Sequence, residues 1–139
     1  MDPIVTIAQG SLRGRAGDAV LRFRGIPYAE PPVGARRFLP PGPAPAWTGE
    51  RDAARSGPTA MQVADGLMAM LGGSALESSE DCLFLDVVTP ACDDARRPVM
   101  VWIHGGGFLT GTGSIPWYDG ASLATRGDVV VVTINYRLA

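Results

Sequence analysis

The stretch VMVWIHGGGFLTGTGS, residues 99–114, sets stiff β-branched and aromatic residues directly before His104 and three consecutive glycines, Gly105, Gly106 and Gly107. Two chemistries use glycines placed this way. Backbone amides can cradle a phosphate, or they can hold the oxyanion that develops when a nucleophile attacks a carbonyl. Phosphate fits poorly. Gly106 and Gly111 have the Walker separation, but Thr112 follows Gly111 and the chain contains no lysine. The dinucleotide fingerprint fails at its third glycine, which would be Thr110 counted from Gly105 or Pro116 counted from Gly111. Its acidic residue at the tip of the next strand is also missing, since Asp128 opens that strand instead.

An oxyanion hole fits the order of residues. Amides fixed before the reaction stabilise the developing charge by about 3–4 kcal/mol per donor. Two N–H groups converge on one oxygen only where the backbone takes unusual dihedrals, which consecutive glycines adopt at little steric cost. A rigid strand before them fixes their position. Three glycines alone serve equally well as a plain strand-to-loop turn. His-Gly-Gly-Gly after a strand, however, is the oxyanion motif of lipases and esterases, which favours the catalytic reading.

Other reactive side chains have bland readings. His104, the one histidine, closes an apolar strand and is expected to order the loop by hydrogen bonds, since no nucleophile is placed beside it. Asp86 and the Glu80–Asp81 pair could serve as carboxylate catalysts. Neighbours on extended backbone point in opposite directions, so a structural salt bridge is the expected role. A nucleophile would sit in Gly-x-Ser-x-Gly at a strand-to-helix elbow. The nearest approach is Ser122 in Gly120-Ala121-Ser122-Leu123-Ala124, which lacks the second glycine and follows a turn. It is expected to be an ordinary helix residue.

The elements that must position this loop can be read from periodicity. Ile4–Gly14 predicts two short strands around a Gln9-Gly10-Ser11 turn, and Ala19–Ala29 a half-buried strand stopped by Pro27. From Pro27 to Pro58 the chain is rich in Pro and Gly. Phe38, Leu39 and Trp47 in this stretch call for burial, so an ordered wrapping segment is expected. Met61–Leu71 carries Met61, Ala64, Leu67, Met68 and Leu71 on one helical face, and GGSALESS follows as a loop. Cys82–Pro90 and Arg96–His104 predict strands, the second apolar enough to be covered on both faces. Asp119–Gly127 predicts a short helix with Asp119 as N-cap and Gly127 as C′ residue. Asp128–Ala139 predicts a strand needing neighbours on both sides. One strand–helix–strand unit does not complete a doubly wound sheet, so the chain is expected to be the N-terminal part of a longer domain.

Composition narrows the classes further. The chain has 139 residues, 46% of them hydrophobic, and a formal charge of −2. That suits one domain with a real core, and no basic stripe points to nucleic acid. Its cations are all arginine, a compositional bias and not a binding surface. One histidine and two cysteines, Cys82 and Cys92, make neither a multi-histidine metal site nor a disulfide scaffold. No run reaches the ~18 apolar residues of a membrane helix, and the first residues do not read as a signal peptide, so a cytoplasmic location is expected.

Four stretches together resemble type-B carboxylesterases, the cholinesterase and para-nitrobenzyl esterase-like branch of the α/β-hydrolases. They are FRGIPYAEPPVGARRF (23–38), SEDCLFLDVVTP (79–90), PVMVWIHGGGF (98–108) and DVVVVTINYRLA (128–139). The resemblance implies that residues 1–139 are the N-terminal part of a single α/β-hydrolase domain. N-terminal antiparallel strands would lead into a mixed, mostly parallel sheet. It implies a serine carboxylesterase acting on a small-molecule carboxylic ester, with no cofactor, no metal, no nucleic-acid or membrane partner, and the rest of its own domain as the partner of this segment. It implies an oxyanion hole from the backbone N–H groups of Gly106 and Gly107, with Gly105 and His104 shaping the loop. A third donor, the nucleophile, the acid and the catalytic histidine would lie beyond Ala139. It further implies an Arg37–Glu80 ion pair tying the wrapping segment to the Glu80–Cys82 corner. Two departures stand out. Ala60 stands where many relatives have the disulfide partner of Cys82, and Ala139 where they usually have glycine. A non-catalytic binding or adhesion protein of the same fold is the alternative.

Overall fold

The computed structural model describes residues 1–62 and 77–138. Among these residues ten strands form: β1 (Ile4–Ile7), β2 (Gly10–Arg13), β3 (Arg15–Ala16), β4 (Leu21–Pro27), β5 (Glu50–Asp52), β6 (Thr59–Ala60), β7 (Ser78–Ser79), β8 (Phe84–Thr89), β9 (Val99–Ile103) and β10 (Val130–Ile134). Helix α1 spans Ala121–Gly127, and single 3₁₀ turns occupy Gly34–Arg36 and Pro116–Tyr118. The first hairpin turns at Ala8–Gln9, one step earlier than expected, so Gly10 and Ser11 already pair in β2. Ser78–Ser79 is not loop but a short parallel partner of Thr59–Ala60. Most of the helix expected over Met61–Leu71 lies outside the described residues.

The central sheet has the order β3-β4-β8-β10-β9. Its β4–β8 and β8–β10 pairings are antiparallel, and β9–β10 is parallel across the α1 crossover. The sheet is therefore mixed, with a single parallel pair among the described residues, and not mostly parallel. A small sheet, β1-β2-β5, lies against it. Leu12, Phe23, Ile26 and Ala53 form the buried cluster between them, with Trp47 packed at its side. Val20, Val88, Val131 and Ala124 form a second cluster under α1. In β8, Leu85 and Val87 face the first cluster and Val88 the second, so the two clusters lie on opposite faces of that strand.

Several expectations need correction. Val99–Ile103 is not covered on both faces. Every residue of β9 is exposed, Val99 at 60% and Ile103 at 65%, because β9 is the sheet edge and α1 packs over β8 and β10 instead. Val130–Ile134, by contrast, has both its neighbours. Of the three large apolar residues expected to be buried in the wrapping segment, Phe38 and Leu39 are exposed and Trp47 is partly buried. The helix cap also differs. Gly120 is the N-cap, and Asp128 takes the left-handed C-terminal position at φ 47°. Asp119 is drawn one residue outward by a two-bond ion pair with Arg22 at 2.8 and 2.9 Å and a third bond from Arg24 at 3.0 Å. Those charge-assisted bonds across the sheet outweigh a local cap, although Asp119 still accepts from Ala121 N–H at 3.3 Å.

Candidate active site

β9 delivers the chain to His104, where the edge of the sheet ends and the glycine loop begins. The loop's backbone takes three consecutive positive φ values: Gly106 at 126°, Gly107 at 62° and Phe108 at 63°. Only glycine enters the first of these freely, and there a Cβ would collide with Thr110 O. Gly107 and Gly105 face open space. The Gly106 carbonyl accepts from both Leu109 and Thr110 N–H at 3.1 Å, which closes a tight turn over residues 106–110. Among the described residues, the N–H groups of Gly106 and Gly107 donate to nothing in the chain. Two adjacent amide donors are thus left available on an exposed loop that the turn holds in shape.

His104 anchors the root of the loop, and among the described residues no serine or cysteine hydrogen-bonds to it. It is 3% exposed and stacks on Tyr136 with ring centroids 4.3 Å apart. Its Nδ1–H donates to Gly105 O at 2.8 Å, since a carbonyl only accepts. Burial depresses its pKa below the ordinary 6.5, opposed by that bond, so the ring is neutral at pH 7. Tyr136 O–H donates to His104 O at 2.6 Å and fixes the backbone there as well.

The return leg of the loop is tied by side chains that sequence reasoning missed. Asn135 Oδ1 accepts from Thr112 Oγ1 at 3.0 Å and Gly113 N–H at 2.8 Å, while its Nδ2 donates to Pro58 O at 3.0 Å. Gln62 bonds both backbone groups of Gly111. An asparagine closing the apolar run Val129–Ile134 was a readable sign of a polar anchor. Gln62 gave no such sign, because its partner is 49 residues away.

The carboxylates sort by environment. Arg37 Nε lies 2.8 Å from Glu80 Oε1, joining the wrapping segment to the corner before Cys82. Asp86 makes no ion pair among the described residues. It accepts from Gly25 N–H at 2.8 Å and from Ser56 Oγ, and desolvation pushes its pKa up against those bonds. Asp81 is also raised by burial, with Ser79 Oγ bonding its backbone N–H. Ser122 lies in α1. Cys82 is buried, packs in one cluster with Ala60, Ala29 and Leu83, and is a free thiol whose pKa burial pushes up to about 11. Cys92 is exposed. The described residues contain no group of three or more metal-ligating side chains. Among them, no helix is long and apolar enough to cross a membrane.

The sequence model of the carboxylesterase family matches residues 1–139. The chain is 45% identical to the para-nitrobenzyl esterase of Bacillus subtilis over 135 residues, 97% of this chain and 27% of that protein. It is 48% identical to the phenmedipham hydrolase of Pseudarthrobacter oxydans over 138 residues, 98% of this chain and 28% of that protein. Among solved structures, a carboxylesterase of Geobacillus stearothermophilus superposes with a TM-score of 0.87 at 51% identity. That match covers 98% of this chain and 26% of the other. A thermophilic para-nitrobenzyl esterase superposes with a TM-score of 0.93 at 45% identity, over 100% of this chain and 29% of the other. The chain therefore spans little more than a quarter of the length of these relatives.

Proposed function

Because the chain belongs to the carboxylesterase family, we propose that it supplies the oxyanion-hole segment of a serine carboxylic ester hydrolase. Residues 1–139 then form the N-terminal part of one α/β-hydrolase domain, and the remainder of that domain is their partner. In this mechanism a serine from the remaining part attacks the ester carbonyl, and a histidine oriented by an acid takes its proton. The carbonyl oxygen becomes an oxyanion and accepts from Gly106 and Gly107 N–H. His104, neutral and stacked, holds the loop and moves no proton. The acyl-enzyme is then hydrolysed by water with the same donors in place. The reading requires no cofactor.

The observation that carries this proposal is the pair of unpaired adjacent amides in a turn of three positive φ values, directly after a sheet edge strand. A non-catalytic binding protein has no need of such a turn. The test is a chimera in which residues 1–139 replace the matching segment of the Bacillus subtilis para-nitrobenzyl esterase. It should hydrolyse p-nitrophenyl acetate. Gly106→Ala, whose Cβ meets Thr110 O, should lower kcat by about 10²–10³ with little change in KM, the size of one lost oxyanion donor. A Gly106→Ala chimera with unchanged kcat would remove the loop from the mechanism.

A further inference from the structure

We propose that Gln62 is a positioning residue for ester hydrolysis, setting the oxyanion donors through a two-point clamp on the backbone of Gly111. The inference rests on the esterase reading above. Gln62 Oε1 accepts from Gly111 N–H at 2.8 Å and Nε2 donates to Gly111 O at 3.0 Å. The second Nε2 hydrogen goes to Ala60 O at 3.1 Å. Oxygen thus meets a donor and nitrogen meets two acceptors, so the carboxamide orientation is fixed by chemistry. It pairs with Gly111 as a neighbouring strand would, although neither residue belongs to one.

Gly111 is the right residue to hold. It is buried at φ 115°, and any Cβ there would collide with His104 Nδ1. Its predecessor, Thr110, closes the turn on the Gly106 carbonyl. A displacement of Gly111 therefore moves Thr110, the turn, and the Gly106 and Gly107 amides together. The anchors on either side, Tyr136 at His104 and Asn135 at Thr112 and Gly113, both come from the end of β10. Gln62 approaches from the separate 58–62 segment, so the loop is gripped between two parts of the fold. Misplacing a reacting group by about 1 Å costs roughly 10²-fold in rate, which sets the scale of the effect.

The test uses the chimera with Gln62→Met, which keeps the volume and loses all three bonds, and Gln62→Glu, which keeps only the bond from Gly111 N–H. Active sites are counted by titration with a phosphonate ester, so that kcat refers to folded enzyme. Each variant should lose about 10–100-fold in kcat per titrated site with KM changed little. Affinity for a trifluoromethyl ketone, which binds as a tetrahedral oxyanion, should weaken in proportion. A purely structural role would lower the number of titrated sites and leave kcat per site alone, and kcat per site within twofold of the parent overturns the inference. If one variant yields no titratable enzyme, the other decides. A folded parent chimera without turnover overturns the esterase reading and this inference with it, whereas an active parent with fully active Gln62 variants overturns this inference alone.

Discussion

The titration of single side chains in this molecule is governed by desolvation as much as by pairing. His104 shows this in the direction of its titration. Its folded pKa lies below the unfolded value of 6.5, so the unfolded chain binds the proton first as pH falls. The stability this neutral ring contributes is present above about pH 6.5 and is lost as pH falls from there towards the folded pKa. NMR titration of this single histidine in the isolated chain should show a midpoint below 6.5; a midpoint at or above it would contradict the buried stack. Asp86 behaves oppositely. Its folded carboxyl holds a proton more tightly than the unfolded one, so ionisation at neutral pH works against folding. Asp86→Asn keeps an acceptor for Gly25 N–H and should stabilise the chimera by on the order of 1 kcal/mol at pH 7. In thermal melts the gain should shrink as pH falls towards the raised folded pKa of Asp86. The exposed Arg37–Glu80 pair is a weaker lever. With Arg37 61% exposed, Arg37→Ala should cost less than about 1 kcal/mol in the same melts.

At the level of elements, β9 dominates. It is five apolar residues long, carries no charge and no proline, and has one hydrogen-bonding edge open. Such an edge recruits other strands. The isolated chain should therefore self-associate, and Val101→Lys should shift it towards monomer in sedimentation velocity; equal association of both forms would clear β9 of the effect. β9 also marks what was legible in the sequence and what was not. Its existence followed from the apolar run Val99–Ile103, although the strand is shorter than the Arg96–His104 expected. Its burial did not, because an apolar run reports what a strand is suited to touch and not whether that neighbour is present. The same limit explains Phe38 and Leu39, which are apolar and exposed. The glycine loop was legible because its conformational demand is local, written in three adjacent residues. The capping of α1 was misread because Arg22 and Arg24, about a hundred positions earlier, compete for Asp119. Gln62 stayed hidden for the same reason.

For the molecule as a whole, the donors of the proposed oxyanion hole lie in one part and no Gly-x-Ser-x-Gly elbow accompanies them. The isolated 139-residue chain should show no turnover of p-nitrophenyl acetate above that of a Gly106→Ala control; specific turnover would place the nucleophile within these residues. The order of the central sheet carries a further consequence. One margin is β3, two residues long, with Arg15 paired to Asp2 and Asp52 at 3.0 and 3.1 Å. That margin is short, charged and closed to additional strands. The other is β9. The sheet therefore has a polarity of growth, like a seeded polymer with one blocked and one reactive end. Any further strand that joins this sheet, from the same molecule or another, can therefore pair only with β9.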